Sequence, residues 1–150
     1  MTPRTHARQR GFTLIELLVV VAIIGILAAI GFALYVNVQA RGRYGRATAD
    51  VRTLAGAVGA YSAHMGNIPT TAEGLAVLAQ VATNAQGASA GPFLNAVPTP
   101  PGGGSPAWPA GYVYQADTAP GGAASPGNFV VCASGDGFVV HSTSGTATCP

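Results

Sequence analysis

The chain has 150 residues, of which 49% are hydrophobic and only 8% charged, against about 25% charged in an ordinary soluble domain. Its net charge of +2 rests on seven arginines, none beyond Arg52, which excludes a basic nucleic-acid groove on the C-terminal part. Two cysteines are too few for a zinc site and enough for one staple, while 21 glycines and 11 prolines demand extensive loop.

The first eleven residues are polar and carry Arg4, His6, Arg8 and Arg10; from Phe12 to Gln39 the only charge is Glu16. The uncharged run Leu17–Val36 rises about 30 Å as a helix, the thickness of one hydrocarbon core. The leading arginines keep that end in the cytoplasm by the positive-inside rule, so the remainder faces outward. A secretory signal peptide shares the basic start, but its apolar region usually spans about 7–15 residues and does not lead into a continuing helix. Glu16 is the telling residue. A carboxylate at the edge of a membrane span costs free energy, and an isolated anchor has no evident need of it. A bundle can supply a cation: cleavage between Gly11 and Phe12 frees an α-amino group that a neighbour's Glu16 can neutralise.

No proline interrupts the chain between Pro3 and Pro69, so one helix is predicted from Phe12 to about His64. Past the apolar run, Tyr44, Ala47, Val51, Leu54, Val58, Tyr61 and Met65 recur at spacings of three and four, a stripe that packs against a sheet. Gly42, Gly45, Gly56 and Gly59 weaken this helix and suit close approach of another helix. Gly66-Asn67-Ile68-Pro69 is helix-stop chemistry. Thr70 and Glu73 form a capping box, predicting a short helix through Leu75, Leu78 and Val81.

Residues 82–91 and 99–105 read as surface loop, and three short strands are predicted at 111–116, 129–133 and 138–142. Trp108, Tyr112, Tyr114, Phe129 and Phe138 are the expected core anchors. The fold class is α+β: a long N-terminal helix packed on a small antiparallel sheet. Signals for catalysis fail. Ser89 sits in a G-x-S-x-G string, but in a polar loop rather than between a strand and a helix. His64 and His141 have no acid at a telling spacing, so the chain is expected not to be an enzyme.

The string from Arg10 to Ile30, with its ordered Gly11-Phe12-Thr13-Leu14-Ile15-Glu16, resembles the class III signal of type IV pilins and pseudopilins. The resemblance implies cleavage by a prepilin peptidase after Gly11, N-methylation of Phe12, and Glu16 as the carboxylate guiding filament assembly. Ile68–Leu78 and Pro92–Pro98 resemble segments of the major pseudopilin of type II secretion systems. The implied organisation is a leader at 1–11, a membrane and filament-core helix at 12–36, and a periplasmic head at 37–150. That head divides into an amphipathic helix half at 37–65, a loop and short helix at 66–110, and a β-region at 111–150. The implied partners are copies of the chain itself, the prepilin peptidase, an inner-membrane assembly platform and minor pseudopilins, with no nucleic acid. The implied role is a subunit of the filament that drives protein export. The alternatives are a surface type IV pilin for adhesion, motility or DNA uptake, and a monomeric membrane-anchored binding domain.

One feature departs from the pseudopilin pattern. Those proteins typically hold the C-terminal region with calcium, whereas type IV pilins often staple it, as Cys132 and Cys149 would do in an oxidising compartment. Ala133–Gly137 looks like the start of the calcium loop, yet Phe138–Cys149 holds no acidic residue. Asp136, with Asp117, is the remaining calcium candidate, and hard cations want six to eight oxygens. Otherwise Asp136 is a turn residue and the disulfide replaces the metal.

Overall fold

The computed structural model describes residues 11–118, 124–142 and 149; of the expected leader only Gly11 lies within them. The proline-free stretch forms one helix, α1, over Leu14–Met65. Gly66 ends it with φ +81°, a left-handed conformation that a Cβ disfavours. Its N–H donates to the Ser62 carbonyl at 2.8 Å. The chain divides into two compact units, the first ending at Gln39 and the second beginning at Ala40.

In the first unit every large apolar side chain from Leu14 to Val38 is exposed. An 18-residue window there reaches a mean hydropathy of 3.1 with nothing buried, compatible in length and composition with a single-pass membrane anchor. A helix of an ordinary soluble domain hides such a surface; this one leaves it uncovered.

In the second unit the stripe on α1 is the core. Ala47, Val51, Leu54, Val58 and Tyr61 are buried, joined by Ala57. Tyr44 remains at the margin, its ring 5.0 Å from that of Phe138. These side chains meet Leu75, Leu78, Trp108, Tyr114, Val131, Ala133 and Val140 in one cluster. Tyr112 and Phe129 pack at its edge. The sheet facing the helix is antiparallel in the order β3 (Val113–Thr118), β4 (Ala124–Gly135), β5 (Phe138–His141). Its register pairs Val113 with Cys132 and Cys132 with His141. Asp136 and Gly137, both at positive φ, make the tight turn between β4 and β5, where an Asp-Gly pair suits the twist of a hairpin.

Three expectations need correction. The capping box at Thr70 forms, but a turn and a 3-10 helix over Leu75–Ala79 follow it, not an α-helix reaching Val81. Gly74 at φ +62° breaks the continuity. The period of three still buries Leu75 and Leu78, while Val81 stays 64% exposed. Residues 82–91 are not all loop: Ala82–Thr83 (β1) pairs with Ser89–Ala90 (β2). Asn84 drives that hairpin, its side-chain oxygen accepting from the N–H groups of Gln86 and Ala88. The middle strand begins at Ala124, five residues before the expected start, because Ser125–Asn128 continue the strand rather than turning.

Candidate functional site

At the start of α1, Thr13 is the N-cap and Glu16 sits three residues on. The Thr13 N–H and hydroxyl both donate to Oε2 of Glu16, at 3.0 and 2.8 Å. The Glu16 N–H donates back to Thr13 Oγ1 at 3.3 Å. This is a capping box, the same device as Thr70–Glu73, where the three bonds measure 2.7, 2.8 and 3.3 Å. It corrects the argument that an isolated anchor has no need of Glu16: the carboxylate satisfies its own helix terminus. The T-x-x-E spacing was visible in the sequence, masked by the reading of Glu16 as a charge awaiting a partner. The box uses Oε2 and leaves Oε1 outside it. Phe12, Ile15, Val19 and Val20 flank the exposed Glu16 with apolar surface.

In the head, one polar cluster is built around the Asp136 carboxylate. Arg43, on α1, donates from Nε to Oδ2 at 2.6 Å and from Nη2 to Oδ1 at 2.9 Å. Trp108 Nε1 adds a bond to Oδ2 at 2.9 Å, and the Ser105 N–H one to Oδ1 at 3.1 Å. Two glycines make room: a Cβ at Gly104 would come within 3.0 Å of the carboxylate, and one at Gly135 would collide with the Trp108 ring. The Arg43 hydrogen bonds, then that of Trp108, hold the Asp136 carboxyl well below the usual carboxylate range, and the same pair raises the Arg43 guanidinium. The cluster ties α1, the loop at 104–108 and the β4–β5 turn together.

A second tie is smaller. The Tyr112 hydroxyl donates to Asp50 at 2.9 Å, and Arg46 lies 3.9 Å from the same carboxylate. Burial and that hydrogen bond push the Tyr112 phenol upward. Tyr114 donates to the Pro69 carbonyl at 2.6 Å. Burial, then the charges of Asp117 and Glu73, push its pKa up to about 12.

Cys132, fully buried on β4, is bonded to Cys149 with their Cα atoms 5.7 Å apart. The calcium candidates do not come together. Asp117 sits at an irregularity of β3, beyond the Ala116–Phe129 pair, and accepts from the Gly127 N–H. Asp136 follows Gly135. The six-residue interval of β4 from Phe129 to Gly135 separates their levels by roughly 20 Å. Both Asp136 oxygens are taken by donors, and among the described residues no group of three or more His, Cys, Asp or Glu converges. This donor set does not fit calcium, because a guanidinium already supplies the positive charge. Ser89 lies on β2 with its hydroxyl 2.8 Å from that of Thr83, with no helix after it, and His64 Nε2 lies 3.1 Å from the Ala88 carbonyl.

Comparison with known proteins matches these two regions separately. The prokaryotic N-terminal methylation motif matches residues 6–32. Over 51 residues the chain is 51% identical to the type IV major pilin protein PilA of Myxococcus xanthus, covering 34% of this chain and 23% of that protein. Over 63 residues it is 48% identical to fimbrial protein EcpB of Eikenella corrodens, covering 42% and 39%. The chain thus spans less than two-fifths of the length of either pilin. Together with the exposed apolar stretch of α1 and the small α+β head, these similarities define a pilin-like structural subunit.

The head narrows the class. The model for type II secretion system protein G matches residues 35–136, more than half of the chain. The core protein G of Klebsiella pneumoniae is 30% identical over 99 residues, covering 64% of this chain and 71% of that protein. The chain belongs to the type II secretion system protein G family. No solved structure matches it at a significant level.

Proposed function

We propose that this chain is the major pseudopilin of a type II secretion system, a structural subunit with no catalytic role. A prepilin peptidase cuts after Gly11 and methylates the amine of Phe12. The mature chain is held in the inner membrane by the first half of α1, with its head in the periplasm. An assembly platform and minor pseudopilins then draw it into a helical filament. In the filament core, Oε1 of Glu16 takes the Phe12 amine of a neighbour while Oε2 keeps the Thr13 cap.

The observation that carries this reading is the first half of α1, whose large apolar side chains are all exposed although the head has a closed core of its own. In the bilayer that surface is already out of water, so exchanging lipid for neighbouring helices adds little hydrophobic free energy. The drive for assembly is close helix packing together with neutralisation of Glu16 by a neighbour's amine. The protein G similarity along the head supports export of folded proteins as the filament's task. The Cys132–Cys149 bond is the observation favouring the alternative, a surface type IV pilus. Deleting the chain's gene separates the two. Loss of folded exoproteins from the medium supports the secretion role; normal export with loss of surface fibres supports the pilus.

A further inference from the structure

From Ala40 onward the chain carries four arginines and four carboxylates. Two of each are consumed within the head, Arg43 with Asp136 and Arg46 with Asp50. Arg41, Arg52, Glu73 and Asp117 are left, all exposed. Neither Arg41 nor Arg52 makes an ion pair among the described residues.

The two arginines share one face. Eleven residues at 100° each return to within about 20° of the starting direction, so Arg41 and Arg52 project alike, about 16 Å apart along α1. That face lies about 120–140° around the helix from the centre of the buried stripe. Between them lie Gly45 and Ala49, both exposed, and a Cβ at Gly45 would meet nothing. The surface between the arginines is therefore shallow enough for another chain to lie close. The two carboxylates share a different place. The Ala116 N–H donates to Thr71 Oγ1 at 2.9 Å, which brings the end of β3 beside the turn that carries Glu73. Both carboxylates help raise the pKa of the Tyr114 hydroxyl, after burial. The head thus has a basic face and an acidic corner, equal in charge and made of different elements.

We infer that the Arg41/Arg52 face of α1 docks the Glu73/Asp117 corner of a second copy of this chain. The inference rests on the filament reading and deepens it. Two unlike, complementary patches on one molecule make a heterologous contact, which propagates into a ring or an open helix instead of closing as a two-fold dimer. Opposed charges fix the register of such a contact, and like charges in the same places repel. Exposed pairs are screened by salt, so filament yield falls as ionic strength rises.

The test uses the full chain in its own cells, with pelletable filament as the readout. One variant carries Arg41→Glu and Arg52→Glu; the other carries Glu73→Lys and Asp117→Asn, the asparagine being able to keep the bond from Gly127. Each alone is expected to lose about tenfold or more of the filament. Co-expressed, the acidic-faced and basic-cornered chains should restore it to about the wild-type level in fibres containing both. The milder pair Glu73→Gln with Asp117→Asn keeps the local hydrogen bonds and should also reduce the yield, which separates loss of charge from loss of fold. Wild-type filament yield from either charge-altered chain overturns the contact, as does failure of co-expression to restore assembly. If only the arginine variant is impaired, those side chains face anionic lipid and the contact is equally overturned. A wild-type chain that makes no filament at all overturns the filament reading and this contact with it.

Discussion

Arg43 and Asp136 stand 93 residues apart in the chain and meet in a two-bond pair, Nε to Oδ2 at 2.6 Å and Nη2 to Oδ1 at 2.9 Å. Asp136, in the head of a family whose relatives were expected to bind calcium there, is thereby held by a side chain of α1. The pair also fixes what acid does to the head. A carboxyl held below its unfolded value of about 3.9 adds stability that is complete above that pH and is lost as pH falls through the folded value. The melting temperature of the detergent-solubilised chain should therefore gain nothing from this group above about pH 5 and decline below about pH 4. Arg43→Gln should lower it at neutral pH and flatten the acid-side decline. An unchanged acid slope in the variant would show that the pair is not what titrates.

Two glycines of the head, one on α1 and one at the end of β4, should respond in opposite senses to the same methyl group. Gly56 is exposed in α1 with open space at its Cβ position, so Gly56→Ala is expected to stabilise the head by about 0.5–1 kcal/mol through helix propensity. Gly135 has the Trp108 ring where a Cβ would go. Gly135→Ala should destabilise by about 1–3 kcal/mol through overpacking and loosen the hold of Trp108 on Asp136. Denaturant melts of the two variants give the comparison; equal effects would contradict the packing described around Trp108.

The Cys132–Cys149 bond closes a sequence separation of 17 residues. In the chain-entropy model such a loop stabilises the folded state by about 3 kcal/mol. Reducing agent, or Cys149→Ser, should lower head stability by that order, while added calcium should leave the reduced chain's melting curve where it is. Recovery of the lost stability by calcium would reverse the conclusion that the donor set does not suit that ion.

Much of this architecture was legible in the sequence, and the exceptions have physical causes. The stripe from Ala47 to Tyr61 announced its buried face because helical burial repeats locally. Gly66 and the Thr70–Glu73 box marked their turns because capping is chemistry within four residues. The Arg43–Asp136 pair was invisible: nothing at position 43 points to position 136 until the sheet lies on the helix. The β1–β2 hairpin was missed because two-residue strands carry no alternation, and its signal was the Asn84 side chain folding the backbone around itself. Thr13 and Glu16 were read singly, although their spacing matches that of Thr70 and Glu73.

That last pair gives the sharpest separation of roles. Glu16→Gln retains an oxygen able to accept from Thr13, so the cap should persist and the chain should insert and be processed normally. It loses the negative charge, and assembly should fail nonetheless. Glu16→Ala loses both and should show the same filament defect with a frayed helix start. Filament yield from Glu16→Gln equal to wild type would reduce the carboxylate to a cap and remove the charge-pairing account.

The most direct measurement is the intact mass of the chain recovered from pelleted filaments. The account predicts a polypeptide that begins at Phe12 and carries one added methyl group on its amine. A filament built from chains that still hold residues 1–11, or that begin anywhere other than Phe12, would contradict it.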